Sequence, residues 1–477
     1  MQVEFTLVVR NRLSLRNFML CAMAVVAGCV QFKDQPLSTE KVRASFEARN
    51  LHDTGLKSFI ESAEHAPLNV WPFAAWNLEQ LSLAAFYFHP DLDIARAQLA
   101  VARASLSIAK ERANPSLTLA PSYDTTTPPP WILGLGLDLP IETAGKRRHR
   151  VTQSEHLLDA AKYQLAASAW QVRSGVRKAL LDWYTASERK RLLEKQEAAQ
   201  AECVRLFVVQ QQVGESSSFE LTQSRVALNQ VRFALRDAEL ATTAARIQLA
   251  QAIGISSTAL DDINISVDEF TSLPQEIPDA MAQSQALSNR ADIRAALAEY
   301  AASQSALQRE IAKQYPDIHL GPAFQRDQTD NKWSLSVTLE LPVFNRHRGA
   351  IAEAQALREQ SAATFSALQA RVVSEINQSI AAYRASAAKS LAAQSLSKEL
   401  DSQLTTAQGM YATGELSRIE LTQRQLELTT AALAQLDALV SAQAALGNLE
   451  DVLQSPATLV VVSERSPRVP GHSQVQP

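Results

Sequence analysis

Glycine is scarce in this chain of 477 residues, at 14 positions, and aromatic residues make up only 6%. Ala, Gln, Leu, Glu and Arg fill the space instead, which is the usage of long helices. Neither charge sign is in excess: 46 basic and 50 acidic residues leave −4. That balance argues neither for nor against nucleic acid, and none is among the expected partners. Enzymatic signatures are missing altogether, with no phosphate loop, nucleophile elbow, paired cysteines or His-Glu zinc motif. No catalytic activity and no cofactor are expected. His149 and His156 lie seven residues apart, about 10 Å along a helix and too far to share one metal. Beyond the leader only Met281 and Met410 remain of five methionines, so no thioether path for soft metals is visible and no metal site is expected.

The mature chain also lacks any apolar run near the roughly 18 residues of a spanning helix. If it crosses a membrane, it does so as strands of a closed barrel. The leader itself has a basic region, Arg10, Arg12 and Arg16, followed by a short apolar run from Phe18 to Ala27. It ends in Val26-Ala27-Gly28-Cys29, which resembles the bacterial lipobox and implies a lipid on the Cys29 thiol. An ordinary secretory signal with an incidental cysteine is the alternative. Val30 follows, where an Asp would suggest inner-membrane retention, so outer-membrane sorting is expected. Cys21 leaves with the leader and Cys29 is acylated, leaving Cys203 without an intramolecular partner and the chain without a disulfide framework.

Proline is absent from Ile141 to Leu273 and again from Val343 to Ser455. Both blocks carry nearly unbroken helical periodicity, and a helix from about Ala144 to Val213 would be roughly 100 Å long. Shorter helical stretches, Asp91–Arg112 and Ala291–Lys313, precede two regions of different texture. In the first, Leu117, Leu119 and Tyr123 alternate with small or polar residues; after a Pro-rich turn so do Trp131, Leu133, Leu135, Leu137 and Leu139. The second repeats this with Ile318, Leu320 and Phe324, then Trp333, Leu335, Val337, Leu339 and Leu341. Each region reads as a hairpin of two strands of about ten residues, apolar on one face, with Trp131 and Trp333 placed for the headgroup level of a membrane. Hairpins packed on a soluble core would give the same alternation. Four strands cannot close a pore; two chains would give eight strands with a filled lumen, and three would give twelve with room for water. The barrel reading therefore requires a homo-oligomer, and a trimer is the smallest that conducts.

The chain is duplicated internally. Gly214-Glu215-Ser216-Ser217-Ser218-Phe219-Glu220-Leu221-Thr222-Gln223 returns as Gly414-Glu415-Leu416-Ser417-Arg418-Ile419-Glu420-Leu421-Thr422-Gln423, with seven of ten residues matching at a spacing of 200. Gly214 and Gly414 suit the left-handed position that ends a helix. Ser217 and Ser417 then suit N-caps with Glu220 and Glu420 three residues on, a capping box in each copy. Each long helix is expected to reverse there and return antiparallel, giving two hairpins that project roughly 100 Å. These readings divide the chain into a leader (1–28), a lipidated extended segment (29–77), a first repeat (78–253), a connector (254–278), a second repeat (279–454) and an irregular tail (455–477). The strand pairs fall at 115–140 and 316–342, and the tips at 214–217 and 414–417. The fold class is mainly α with a small β-barrel.

The order of strand pair, long helix, Gly-turn-Ser-x-x-acidic tip and returning helix, duplicated in one lipidated chain, resembles the TolC-type outer-membrane efflux family from about Leu78 to Leu453. Leu139-Pro140-Ile141-Glu142-Thr143-Ala144-Gly145-Lys146-Arg147 is also similar to a segment of that family's heavy-metal branch. The resemblance implies a homotrimer with a twelve-strand barrel in the outer membrane and a helical tunnel through the periplasm. It implies tips (Gly214, Glu215, Ser217, Gly414, Glu415 and Ser417) that join a periplasmic adaptor, and through it an inner-membrane resistance-nodulation-division pump. Family members often carry an apolar residue after the turn glycine, where this chain has Glu215 and Glu415, so its adaptor must be matched accordingly. The resemblance further implies that Glu420 lines the periplasmic aperture; as a cap it needs no other role. Lys146, Arg147, Arg148, Arg346 and Arg348 follow strand ends, where they read as contacts to outer-membrane phospholipid or as solvated helix starts. A type I secretion duct and a lipid-anchored coiled-coil scaffold without a pore are the rival functions.

Overall fold

The computed structural model describes residues 32–456 apart from 127, 129, 275–286 and 328. The leader with Cys29, the end of the connector with the start of the second repeat, and the tail from 457 lie outside the described residues. The chain divides into two units, Met1–Ala48 and Arg49–Pro477. In the first, the described residues hold one helix, α1 (Thr39–Glu47). Everything below concerns the second.

The segment before residue 77, expected to be extended and irregular, carries a helix in this unit as well. α2 (Thr54–Glu64) is capped by Asp53, whose carboxylate accepts from Gly55 N at 2.8 Å, and it buries Leu56 and Ile60. α3 (Leu78–Phe88) follows with an Asn77–Gln80 capping box, then α4 (Pro90–Lys110) with proline in its first turn. Two strands, β1 (Ser116–Tyr123) and β2 (Trp131–Ile141), lead into α5 (Lys146–Gln212), a single helix of 67 residues. α6 (Ser218–Ile253) returns along it. The second repeat has the same order: α7 (Ala291–Ala312), β3 (Ile318–Asp327), β4 (Asp330–Leu339), α8 (Arg348–Ala412, 65 residues) and α9 (Arg418–Leu453).

The incoming helices reach the expected length of roughly 100 Å, but the hairpins are lopsided. α6 and α9 have 36 residues each, about 54 Å. α3, α4, α7 and α9 also pack along α5, whereas α8 is flanked by α7 and α9 alone among the described residues. α6 is stopped by Gly254, whose φ of +87° continues no helix. A Cβ there would stand 2.9 Å from the Phe88 carbonyl oxygen, so only glycine lets the end of α6 abut the corner from which α4 starts. Arg49 Nη1 joins the two ends, donating to Phe88 O at 2.7 Å and Gly254 O at 2.9 Å.

The four strands form one antiparallel sheet in the order β1-β2-β3-β4. The two sequence hairpins are joined by pairing of β2 with β3, from Ile132↔Asp327 to Ile141↔Ile318. Among the described residues β1 and β4 are edges without a second partner. The main core gathers Leu51, Leu56 and Ile60 with Leu81, Leu180, Leu249 and Ile253. The connector contributes Ile255, Leu260 and Phe270 to it, so that segment is packed structure as well as a link between repeats. A smaller cluster, Val372, Ile376, Tyr383 and Leu449 among others, joins α8 to α9.

Candidate membrane face, hairpin tips and buried charge network

Cross-strand partners lie on the same face of a sheet, so the register sorts the side chains. One face reads Leu119↔Leu135, Leu135↔Phe324 and Phe324↔Trp333 across all four strands, and Leu139↔Leu320 with Leu320↔Val337 nearer the helices. The opposite face reads Thr118↔Gly136, Gly136↔Ala323 and Ala323↔Ser334, with Ser116↔Asp138 and Gln325↔Lys332. The alternation seen within each strand is therefore continuous across the sheet. Trp131 and Trp333 sit at the end away from the helices, each in contact with a second ring: Tyr123–Trp131 at 4.9 Å and Phe324–Trp333 at 4.8 Å between centroids. Both tryptophans are exposed, as are Leu117, Leu119, Leu133 and Leu335. An apolar surface of this extent calls for an apolar surrounding.

At the helix end of the sheet the basic residues divide. Lys146 Nζ donates to Tyr315 O at 2.7 Å and to Asp317 Oδ1 at 2.8 Å. Arg147 Nε donates to Lys110 O, and Arg150 to Ala109 O and Glu111 O while pairing with Glu142. Arg147 and Arg150 satisfy the last carbonyls of α4, where a helix dipole favours positive charge. Arg148, Arg346 and Arg348 are exposed.

The two tips are nearly identical. Gly214 and Gly414 have φ of +81° and +82°. Gly214 N donates to Gln211 O and Glu215 N to Gln210 O; Gly414 N donates to Tyr411 O and Glu415 N to Met410 O. This is the paired-bond ending that satisfies the last helical carbonyls. Each returning helix then opens on a complete capping box: Ser217 Oγ accepts from Glu220 N at 3.2 Å, and Glu220 Oε2 accepts from Ser217 N at 2.7 Å. In the second, Ser417 Oγ accepts from Glu420 N at 3.3 Å and Glu420 Oε2 from Ser417 N at 2.9 Å. These hydrogen bonds hold both carboxyls below the usual glutamate range. The Glu215 and Glu415 side chains are exposed at the extremity. The tips differ in one link. Arg418 reaches Glu202 on α5 at 3.5 Å and lies over the Tyr411 ring, while Ser218 stands at its place in the first copy. Arg205, hydrogen-bonded to the same carboxylate, holds Glu202 at about 2, with Arg418 adding to the effect.

A second constellation escaped sequence reasoning. Arg177 on α5 is buried and donates to Gln443 O at 3.0 Å and Gln443 Oε1 at 3.2 Å on α9. It pairs with Glu450 at 3.3 Å, and Arg173 stands 3.5 Å from the same carboxylate. Gln443 Nε2 in turn donates to Phe270 O and Ser272 O of the connector. Burial lowers the Arg177 pKa and raises that of Glu269 nearby. Asp451 accepts from Trp170 Nε1 and Ser174 Oγ. Arg177 and Gln443 lie 266 positions apart and Trp170 and Asp451 281, and no local motif signals them. Among the described residues no cluster of three or more His, Cys, Asp or Glu side chains is placed to hold a metal ion, and no helix is long and apolar enough to cross a membrane.

This architecture is found in known proteins. The structure of the CmeC outer membrane channel of Campylobacter jejuni superposes with a TM-score of 0.65 at 17% identity, covering 91% of this chain and 97% of that one. The outer membrane protein VceC of Vibrio cholerae does so with a TM-score of 0.64 at 19% identity, over 79% of this chain and 96% of that one. At these identities the likeness is one of fold. In sequence, the cobalt-zinc-cadmium resistance protein CzcC of Cupriavidus metallidurans is 25% identical over 215 residues, 45% of this chain; the match spans half the length of that relative. The outer membrane efflux protein family matches at residues 85–255 and 282–453, once in each repeat. The chain belongs to the outer membrane efflux protein family.

Proposed function

We propose that this protein is the outer-membrane exit duct of a tripartite efflux system, moving cargo from periplasm to exterior without chemistry of its own. The observation that carries this reading is the sheet whose one face is apolar across four strands, mounted on helices roughly 100 Å long that end in two matched tips. Three copies, each giving four strands, close a twelve-stranded barrel with the apolar face to lipid and the Ser, Thr, Gly and Asp face to water. The edges β1 and β4 then pair between copies, which removes the open strands an isolated sheet would leave. Trp131 and Trp333 with their ring partners mark the outer interface, and Arg148, Arg346 and Arg348 meet phospholipid headgroups at the inner one. Lys146 and Arg147, bonded within the chain, hold the base of the sheet in register for that contact. Cys29 carries the lipid anchor.

The tips, Gly214, Glu215, Ser217, Gly414, Glu415 and Ser417, meet a periplasmic adaptor that links the duct to a resistance-nodulation-division pump. Glu420 lines the periplasmic aperture. The cargo class is metal cations or small toxic compounds; the name of the relative CzcC supports the first. Purified protein in a planar bilayer should give discrete single-channel conductance steps. A lipid-anchored scaffold without a pore gives none, and that result would overturn this reading.

A further inference from the structure

The register that sorts the sheet into two faces also sorts its charges. Asp138, His319, Asp327, Asp330 and Lys332 all fall on the face of small and polar residues. Four of them meet there in pairs: His319 Nδ1 stands 3.1 Å from Asp138, and Lys332 Nζ 2.6 Å from Asp327. Arg326 is the exception. It lies opposite Leu133 on β2 and Asn331 on β4, two residues along from Phe324, which places it on the apolar face. Among the described residues of the four strands it is the only charged side chain on that face. It is exposed, and it forms no ion pair with any described residue.

On a surface that faces hydrocarbon, a guanidinium is costly at mid-depth and tolerated close to the headgroups. Position decides which applies. Arg326 lies one step beyond the Phe324–Trp333 ring pair, toward the end of the sheet away from the helices. Aromatic rings of this kind mark the headgroup level, so the guanidinium stands at that level or outside it. Its long apolar stem lets the head reach the headgroup layer from the lipid-facing side. The chemistry of the place then selects what it meets. Asn331, its cross-strand partner, is exposed beside it and carries an amide that can donate to the same acceptor. The acids of this hairpin, Asp327 and Asp330, belong to the opposite face. A planar fork of donors without a carboxylate on its own face fits the oxygens of a phosphate. The first hairpin has no such site: Tyr123 and Trp131 match Phe324 and Trp333, but Thr125 and Pro129 stand where Arg326 and Asn331 do.

We propose that Arg326 and Asn331 form a binding site for the phosphate of a lipid headgroup in the outer leaflet, one site per chain and separate from the inner-face contacts of Arg148, Arg346 and Arg348. This rests on the barrel reading of the sheet, and the test separates the two. Trp333 is the reporter, because it lies diagonally across β3 and β4 from Arg326. Its emission is the difference between the full-length protein and its Trp333→Phe variant. In vesicles made wholly of a brominated digalactosyl diacylglycerol, a phosphate-free lipid, Trp333 should be quenched, as a lipid-facing ring must be. In unbrominated vesicles of the same lipid holding a few per cent of brominated phosphatidylglycerol, quenching should show that lipid enriched at Trp333 about fivefold over its bulk share, the factor for one basic residue at a membrane surface. Arg326→Gln should return it to the bulk share, Arg326→Lys should keep part of the enrichment, and Arg346→Gln should leave it unchanged. High salt should weaken it in the wild type. Equal quenching in the wild type and Arg326→Gln would mean that water alone solvates the guanidinium; it overturns the site and leaves the barrel standing. A Trp333 that the brominated host lipid does not quench overturns both.

Discussion

The two hairpins are built by the same devices and end in different surroundings. Both tips pair a left-handed glycine with a Ser-x-x-Glu box, and both returning helices have 36 residues. Yet α9 is tied to the first repeat by the Arg177–Gln443–Glu450 network and its tip by Arg418–Glu202, while α6 pairs within its own repeat, Arg232 with Glu197, and among the described residues no ion pair joins it to the second. The shared glycine, serine and glutamate set the local chemistry of turn and cap, which depends only on neighbours in sequence. Each copy's position then decided which outer faces meet another helix of the same chain. The first hairpin leaves Phe219, Val226, Phe233, Leu240 and Ile247 of α6 exposed within this chain, and the second is the one stitched to the other repeat.

Breaking the stitch should have the largest effect. Arg177→Ala leaves the Glu450 and Glu269 carboxyls in a buried site with Arg173 as the nearest remaining cation. Removing one partner of a buried charge group costs about 3–5 kcal/mol. The thermal midpoint, compared at fixed protein concentration, should fall accordingly. Asn377, at the equivalent place in the second copy, is exposed or nearly so, and Asn377→Ala should change stability by about 0.5 kcal/mol or less. Arg177→Met with Glu450→Leu should recover most of the loss, since the charges then leave together. Equal effects at 177 and 377 would mean the repeats are stitched alike.

The same contrast explains what could be read in advance. Strand alternation is a property of ten residues, and the register extended it across the sheet without altering it. The tips were legible because a glycine, a serine and a glutamate at fixed offsets suffice to build them. Helix α2, inside the segment expected to be extended, is announced only by Asp53 as its cap and the spacing of Leu56 and Ile60, a signal of little more than two turns. Lys146 and Arg147 looked free because their acceptors lie 171 and 37 positions away. Arg177 and Gln443 have no local pattern at all.

A smaller effect is expected at the tips, where the copies should behave alike in stability and differ in consequence. Nothing lies within 4 Å of a Cβ added at Gly214 or Gly414, so valine there meets only backbone strain at φ near +80°. That strain is about 1 kcal/mol or somewhat more for a β-branched residue. Both variants should still assemble and insert, since the sheet is roughly 100 Å away. Gly414→Val should abolish export in a resistance assay because it misplaces Arg418 and the inner end of the duct. Normal resistance from that variant would count against the proposed docking of an adaptor at the second tip.

The mildest change separates the two capping glutamates. Gln at 220 or 420 keeps the size of the side chain and still accepts from the serine N–H, so turn stability should hardly move. In a trimer whose second hairpin faces inward, three Glu420 carboxylates converge near a narrow entrance, where like charges attract cations. Reversal potentials should therefore show reduced cation preference for Glu420→Gln and almost none of that change for Glu220→Gln, most clearly at low ionic strength. The pH dependence has a definite sign. Hydrogen bonds from Ser417 lower the Glu420 pKa, so its charge persists as pH falls through the ordinary glutamate value and is lost only below it. The Ser417 hydrogen bonds thus favour retention of wild-type selectivity as pH falls through the ordinary glutamate range, and Glu420→Gln should be flat with pH. A wild-type preference for cations that Glu420→Gln leaves unchanged would place the selecting charge on another group.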